Sequence, residues 1–413
     1  MSLLRSRLLS WASQFPCCAV FDTCGSDKDR YGSYEWLIGV GGADAQRIET
    51  WAEFEAHRGR WLMGILPYEL KNRFEPGLRS RRAALVSFPE VAFFVPDYVV
   101  MLPKGSSQPL WLDAEGRPLD PLPLESVPSP EPPAWEKPSF SPFTSQEAYL
   151  ESIRTARAHI REGDFYEINL SRAFVAEYTL PDPVALYQQL TRISPMPFSA
   201  FVRYGEKYLI SASPERFLQL KDGYLSTQPI KGTAPRGATP EEDELLRRRL
   251  RRSVKEKAEN IMIVDLSRHD LHRSCVTGSV TVPHLFDIQS FAQLHQMVST
   301  IRGRLRPDVS APEAIARTFP PGSMTGAPKV MTMDMIDQFE PVARGAYAGS
   351  AGYISPSGEF DLSVIIRSLI YDASACCLSY HVGGAITYDS APEKEWAETE
   401  VKAEAIRQLF GIF

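Results

Sequence analysis

The stretch FSAFVRYGEKYLISASPERFLQLKDGYLSTQPIKGT (residues 198–233) decides the fold class. Short runs of aliphatic and aromatic residues alternate with polar ones and are punctuated by glycine. They read as successive strands joined by turns. FYEINLSRAFVAEY (165–178) and AALVSFPEVAFFVPDYVVML (83–102) read the same way, and further strands are predicted near 276–282, 294–302, 346–355, 361–371 and 376–382. Helical signals lie between them. Thr144 and Glu147 form a capping box before Leu150, Ile153 and Ile160, with Gly163 as the stop. Thr239-Pro240-Glu241-Glu242 opens a helix expected to run past Glu259, and residues 392–409 look helical. Strands and helices do not alternate regularly, so the fold class is α+β, with mixed antiparallel sheets and flanking helices.

Working outward, nine prolines lie between Pro118 and Pro142. Proline fixes φ and removes a donor, so this stretch is an extended connector. It separates an N-terminal region (1–117) from a larger domain (144–413). The chain has 413 residues, 44% hydrophobic and 23% charged, which excludes a disordered protein. Its 45 basic and 51 acidic residues give a net charge of −6, a poor balance for a nucleic-acid binder. No apolar run reaches membrane-spanning length. MSLLRSRLLSWASQF (1–15) lacks the apolar centre and cleavage site of a targeting segment and reads as a short helix. The six cysteines show neither zinc-ligand nor C-x-x-C spacing, as expected of free thiols in a reducing cytoplasm.

Several features carry candidate chemistry. Arg247, Arg248, Arg249, Arg251 and Arg252 interleave with Leu245, Leu246, Leu250 and Val254. A solvated helix face opposite an apolar stripe explains them better than an anion patch. Glu256 and Glu259 lie three apart on one expected helix, and Glu395 and Glu398 on another. Facing each other they would suit Mg²⁺, though such pairs are also common on surfaces. Lys231, between a strand end and Gly232-Thr233, is either a nucleophile or a turn lysine. Gly322–Lys329 lacks P-loop spacing. Gly383 and Gly384 could offer backbone N–H groups to an anion or form a plain turn. Arg367, in the strand-like SVIIRSLI, needs a carboxylate from a ligand or from the protein.

The order of these features is more specific than any one of them. SPERF (213–217), PIKGT (229–233), ENIMIVDLSRHD (259–270), PPGSMTGAPK (320–329), RGAYAGSAGY (344–353), DLSVIIR (361–367) and GGAITYDSAPEKEWAETEVKA (383–403) together resemble the chorismate-utilising enzymes. WLMGILPYELKNRFE (61–75) resembles their N-terminal segment. The resemblance implies an anthranilate synthase component I-like fold around a chorismate site. Lysine at position 231 is typical of the aminodeoxychorismate synthase component I branch, whereas anthranilate synthases have alanine there. The implied chemistry is attack of Lys231 on C2 of chorismate, loss of the C4 hydroxyl with Glu215 as general acid/base, and addition of ammonia at C4. The Lys231 pocket is expected to favour the neutral amine. The resemblance also implies Mg²⁺ on Glu259 and Glu398, with Glu256 and Glu395 behind them. Arg367 and Tyr347 would hold the enolpyruvyl carboxylate, and Gly232 and Thr233 would lie at the ring carboxylate. Lys402, Gly383 and Gly384 would make the remaining anion contacts.

Water-adding relatives carry a lysine where this chain has Glu167, which argues against that branch. The family's H-L-V-S reads Gln296-Met297-Val298-Ser299, so Gln296 stands at the histidine position, and neighbouring His295 should face the other side of its strand. R-N-D reads Arg268-His269-Asp270. No glutaminase motif is present and no room remains for a lyase domain, so ammonia is expected from a separate glutamine amidotransferase subunit. Anthranilate synthase component I and a catalytically silent chorismate-binding subunit are the rival readings. FDTCGS (21–26) only faintly matches the family's regulatory element, so no tryptophan site is assigned.

Overall fold

At Ser213 the chain leaves one β-sheet, and at Arg216 it enters another. The structure, a computed structural model describing residues 2–122, 124, 136–292 and 294–411, contains two antiparallel sheets of 11 and 10 strands. Lys207–Ser213 belongs to the first sheet and Arg216–Lys221 to the second. The neighbours of these strands make the same crossing in reverse: Phe360–Val364 lies in the second sheet and Ser368–Asp372 in the first. The two crossings are hydrogen-bonded side by side. Val364 N–H donates to the Glu215 carbonyl at 3.0 Å, and Ala212 N–H to the Arg367 carbonyl at 3.2 Å. Glu215 and Arg367 therefore share one seam between the sheets.

Residues before 118 and after 143 contribute strands to both sheets. Period-two alternation explains the layers. Cys17, Ala19 and Phe21 point into the core between the sheets, while Cys18 and Val20 point to the outer face of the first. On that outer face pack the helices Ser2–Ala12, Pro183–Ile193 and Pro392–Leu409 through Leu8, Leu186, Leu190 and Ile406. Gln146–Glu162 and Lys329–Phe339 enclose a third, smaller core with Phe165, Ile168 and Ile386.

Several expectations are corrected. The cap at 145–148 is Ser145 rather than Thr144, its hydroxyl accepting from Ala148 N–H, while Gly163 ends the helix at φ 88° as read. The helix from Pro240 does not run through to Glu259. It stops at Arg252, and Ser253 both ends it and caps a new helix, Val254–His272. The strand placed at 276–282 runs from Thr281 to Ser290. The strand at 361–371 is broken at 365–367, where it changes sheets, so Arg367 is not a strand residue. Of the leucines among the arginines only Leu250 is fully buried; Leu245 and Val254 are exposed. Arg247 and Arg248 both pair with Glu244, as on a solvated face. Residues 123 and 125–135 of the proline-rich connector lie outside the described residues.

Arg216 staples the seam. Fully buried, it bonds Asp29 and Asp361, each at 2.8 Å, as well as Gln228. The two carboxylates hold its guanidinium well above its ordinary pKa despite burial. Arg216→Met would strand two buried carboxylates, and an expected loss of about 3–5 kcal/mol in denaturant unfolding follows. A loss under about 1 kcal/mol would mean the acids find other partners.

Candidate active site

The strand Ile230–Pro235 carries one extra residue relative to its neighbour Leu294–Arg304. Ile230 pairs with Val298 but Thr233 with Gln296. The bulge falls at Lys231-Gly232, with Gly232 at φ 94°. That φ favours glycine, and a side chain there would also crowd Glu256 Cβ at 3.2 Å on the helix above. Asn260 fixes that helix: its amide nitrogen lies 3.4 Å from the Lys231 carbonyl, and its oxygen accepts from Ser299 Oγ at 2.6 Å.

Lys231 is 8% exposed and its ammonium lies 2.5 Å from Glu167 Oε1. Burial by itself would lower its pKa, but Glu167, with Glu259 and Glu215, raises it above the ordinary value. The pocket therefore favours the ammonium, against the expected bias toward the neutral amine. Glu215 shows the opposite balance. Burial pushes it up to about 7, while the hydroxyl of Ser323, donating at 2.6 Å, and nearby Lys231 and Lys402 pull it down.

Glu256 and Glu259 project from the helix Val254–His272, and Glu395 and Glu398 from Pro392–Leu409. Burial raises Glu256, Glu259 (to about 7) and Glu395, and neighbouring glutamates add to each. Glu398 is lowered instead by Lys402, 2.6 Å away. Glu395, Glu398 and Lys402 all converge on Gly384, 3.7 Å from where its side chain would begin. Oxygen-only donors that repel one another fit a hard divalent cation. Among the described residues the group whose ligand atoms all lie within 4.8 Å of one another is not this one but His159, Glu162 and Asp164, on mostly exposed side chains.

Gly383 and Gly384 lie inside the strand Cys377–Ile386 rather than in a turn. Pairing with Ser368–Asp372 ends at Tyr380, so beyond it this strand is paired along one edge. Lys402 donates to the Gly383 carbonyl at 2.9 Å. Arg367 sits at the seam with φ 54°, a conformation L-residues adopt at a cost. Among the described residues no side chain or carbonyl bonds its guanidinium, and burial lowers its pKa. Tyr347 lies in its field and stacks on His381 at 4.9 Å. Gln296 is 3% exposed and its Oε1 has no partner among the described residues; Thr233 stands exposed beside it. His295 faces away, bonding Ser290 and Asp243. Among the described residues the structure links Lys231 with Glu167, Glu259 and Glu215, and sets Glu395, Glu398 and Lys402 around Gly384. Arg367 lies in the field of Tyr347 and Glu398.

A sequence profile described as chorismate binding enzyme matches residues 38–408. The chain belongs to that family. It is 43% identical over 301 residues to an aminodeoxychorismate synthase of Streptomyces griseus, covering 72% of this chain and 41% of that one. It therefore spans less than half the length of that relative. It is 38% identical over 358 residues to aminodeoxychorismate synthase component 1 of Klebsiella aerogenes, covering 83% and 76%. Anthranilate synthase component I of Streptococcus pneumoniae superposes with a TM-score of 0.74 at 28% identity, covering 86% and 81%. The menaquinone-specific isochorismate synthase of Escherichia coli superposes with a TM-score of 0.76 over 97% and 91%; at 19% identity it shows the fold alone. The α+β, anthranilate synthase component I-like fold of this chorismate-binding enzyme is thereby established. No helix among its described residues is long and apolar enough to cross a membrane.

In this family member three residues of the cleft were not assigned a role from the sequence. Asn260 and Ser323 sit within quoted motifs, but nothing local marks them as partners of Lys231 and Glu215. Glu167 was noted only as a replacement for lysine.

Proposed function

We propose that the protein aminates chorismate at C4 to 4-amino-4-deoxychorismate, a precursor of p-aminobenzoate and folate. Ammonia would come from a separate glutamine amidotransferase subunit. The observation that carries this reading is Lys231, a buried lysine on a bulge, 2.5 Å from one carboxylate and in the field of a second held near neutrality. Relatives named as component 1 of aminodeoxychorismate synthase support both the reaction and a partner subunit.

The reaction divides into two halves. Once Lys231 has given up a proton, its lone pair forms a bond to C2. The two ring double bonds shift, and the C4–O bond breaks as Glu215 gives its proton to the departing hydroxyl. Ammonia then bonds to C4 and passes a proton to Glu215, the double bonds shift back, and the N–C2 bond breaks. Arg367 and Tyr347 would orient the enolpyruvyl carboxylate; Gly232, Thr233 and Gln296 would lie along the ring edge. Lys402, Gly383 and Gly384 would line the other wall of the cleft. Glu259 and Glu398, backed by Glu256 and Glu395, would hold Mg²⁺, which when bound neutralises the ring carboxylate.

A product assay tests this. The purified chain is incubated with chorismate, Mg²⁺ and ammonium, and the products are identified by mass spectrometry. Aminodeoxychorismate, with turnover abolished by a chelator and restored by Mg²⁺, is the expected result. Anthranilate would assign the protein to the rival branch. No turnover even with an amidotransferase partner supplied would leave it a silent subunit.

Ser323 supplies a sharper check on Glu215. The general acid works protonated, so activity should fall as pH rises through its pKa. Ser323→Ala removes a donor that holds this pKa down, so the alkaline limb of kcat should move to higher pH; Ser323→Thr should return it. An unmoved limb would exclude Glu215 as the acid that this limb reports.

A further inference from the structure

Three carboxylates, Glu167, Glu259 and Glu215, act on the Lys231 ammonium, and among the described residues only Glu167 bonds it. Glu167 Oε1 is 2.5 Å from Nζ, and both residues are over nine-tenths buried. The Glu167 backbone is pinned. It heads the strand Glu167–Glu177 and pairs with Ala327, and a side chain on adjoining Gly326 would strike the Glu167 carbonyl at 2.1 Å. This fixes Glu167 within the first sheet, and its side chain reaches Lys231 in the second.

Glu215, from the first crossing of the seam, is engaged elsewhere, accepting from Ser323 at 2.6 Å. Glu259 and Glu398 also act on Lys231, but through their fields from the helices above, and Lys402 opposes them. The two halves of the proposed reaction make opposite demands on Nζ. It must lose a proton to free the lone pair that attacks C2, and the neutral amine released when that bond breaks must regain the proton to restore the resting ammonium. Glu215 cannot serve both ends, since it must be protonated at the C4 oxygen during the same step in which Nζ is deprotonated.

We propose that Glu167 is the catalytic base of Lys231, taking its proton as the N–C2 bond forms and returning the same proton as that bond breaks. This rests on the reading of Lys231 as nucleophile. The proton moves from Nζ to Oε1, the freed lone pair becomes the N–C2 bond, and the hydroxyl leaves C4 with a proton from Glu215. In the second half ammonia adds at C4, its proton goes to Glu215, and Nζ departs with the proton held on Glu167. Each carboxylate ends as it began, so no outside acid or base is consumed.

The test compares the unaltered chain with Glu167→Gln and Glu167→Asp, by chorismate consumption at saturating ammonium and Mg²⁺ across pH. Lys231 acetylation by acetic anhydride is followed in parallel by peptide mass spectrometry. Glu167→Gln should lower kcat by about 10²–10⁴-fold, and Glu167→Asp should recover part of it. Lys231 should acetylate faster in Glu167→Gln, because its ammonium has lost its counter-charge; slower turnover would then coexist with a more available amine, which simple structural damage would not produce. Turnover of Glu167→Gln within about threefold of the unaltered chain would overturn the proposal, as would unchanged acetylation rates. If the unaltered chain consumes no chorismate with its partner supplied, the functional reading fails instead, and acetylation still decides whether Glu167 governs the proton on Lys231.

Discussion

Lys231→Ala is expected to lower aminodeoxychorismate formation by at least about 10³-fold, because a methyl group offers no lone pair to C2. The unaltered chain incubated with chorismate but without ammonia should accumulate an adduct on Lys231, visible by intact mass and peptide mapping. The alanine variant should show none. Ammonium at high concentration could attack C4 directly, so the comparison belongs at limiting ammonium and with an amidotransferase partner. A variant that keeps its rate, or an unaltered chain that never forms the adduct under single-turnover conditions, would remove Lys231 as nucleophile. Asn260 and the Gly232 bulge hold the backbone here independently of the lysine side chain, so the cleft should survive the change.

The second large effect is expected at Arg367. Its guanidinium carries a positive charge in a cleft wall with no bonding partner among the described residues. Losing one member of a desolvated charged contact costs 2–5 kcal/mol or more, so Arg367→Gln should raise the KM for chorismate by about 10²-fold or more, with a smaller change in kcat. Arg367→Lys should recover only part, since an ammonium cannot make two parallel bonds to a carboxylate. Thermal stability of the ligand-free protein should hold, because no internal ion pair is broken. That contrast with Arg216→Met is itself informative: both arginines lie near the seam, yet one is saturated by Asp29 and Asp361 and the other has no bonding partner among the described residues. A chorismate KM that does not move would exclude Arg367 from substrate binding.

Legibility in the sequence followed the range of the interactions involved. Local signals carried well: the Thr239 cap with Pro240, the αL stop at Gly163 and the strand pairs around Asp222-Gly223 depend on neighbours a few residues apart. Where a tertiary demand intervened, the local pattern misled. The aliphatic run 361–371 reads as one strand, but it crosses between sheets at Arg367, and nothing in its composition marks the crossing. The continuous helical pattern through Ser253 conceals a break, because serine there caps the second helix with a hydroxyl bond to Glu256 N–H. That break also sets the direction of Glu256 and Glu259 toward the cleft.

The sequence by itself determined the strand-rich α+β frame and supplied the lysine, glutamates and arginine on which the proposed chemistry rests. Only the tertiary structure decided how each is used. Glu167 meets Lys231 across 64 residues of chain and Ser323 meets Glu215 across 108. No local periodicity encodes a contact at that separation. Such pairs exist because two sheets exchange strands along one seam, and burial there makes each charge depend on the partner it finds. Glu167 beside buried Lys231 favours the ammonium over the expected neutral amine, and Arg367 has no bonding partner among the described residues.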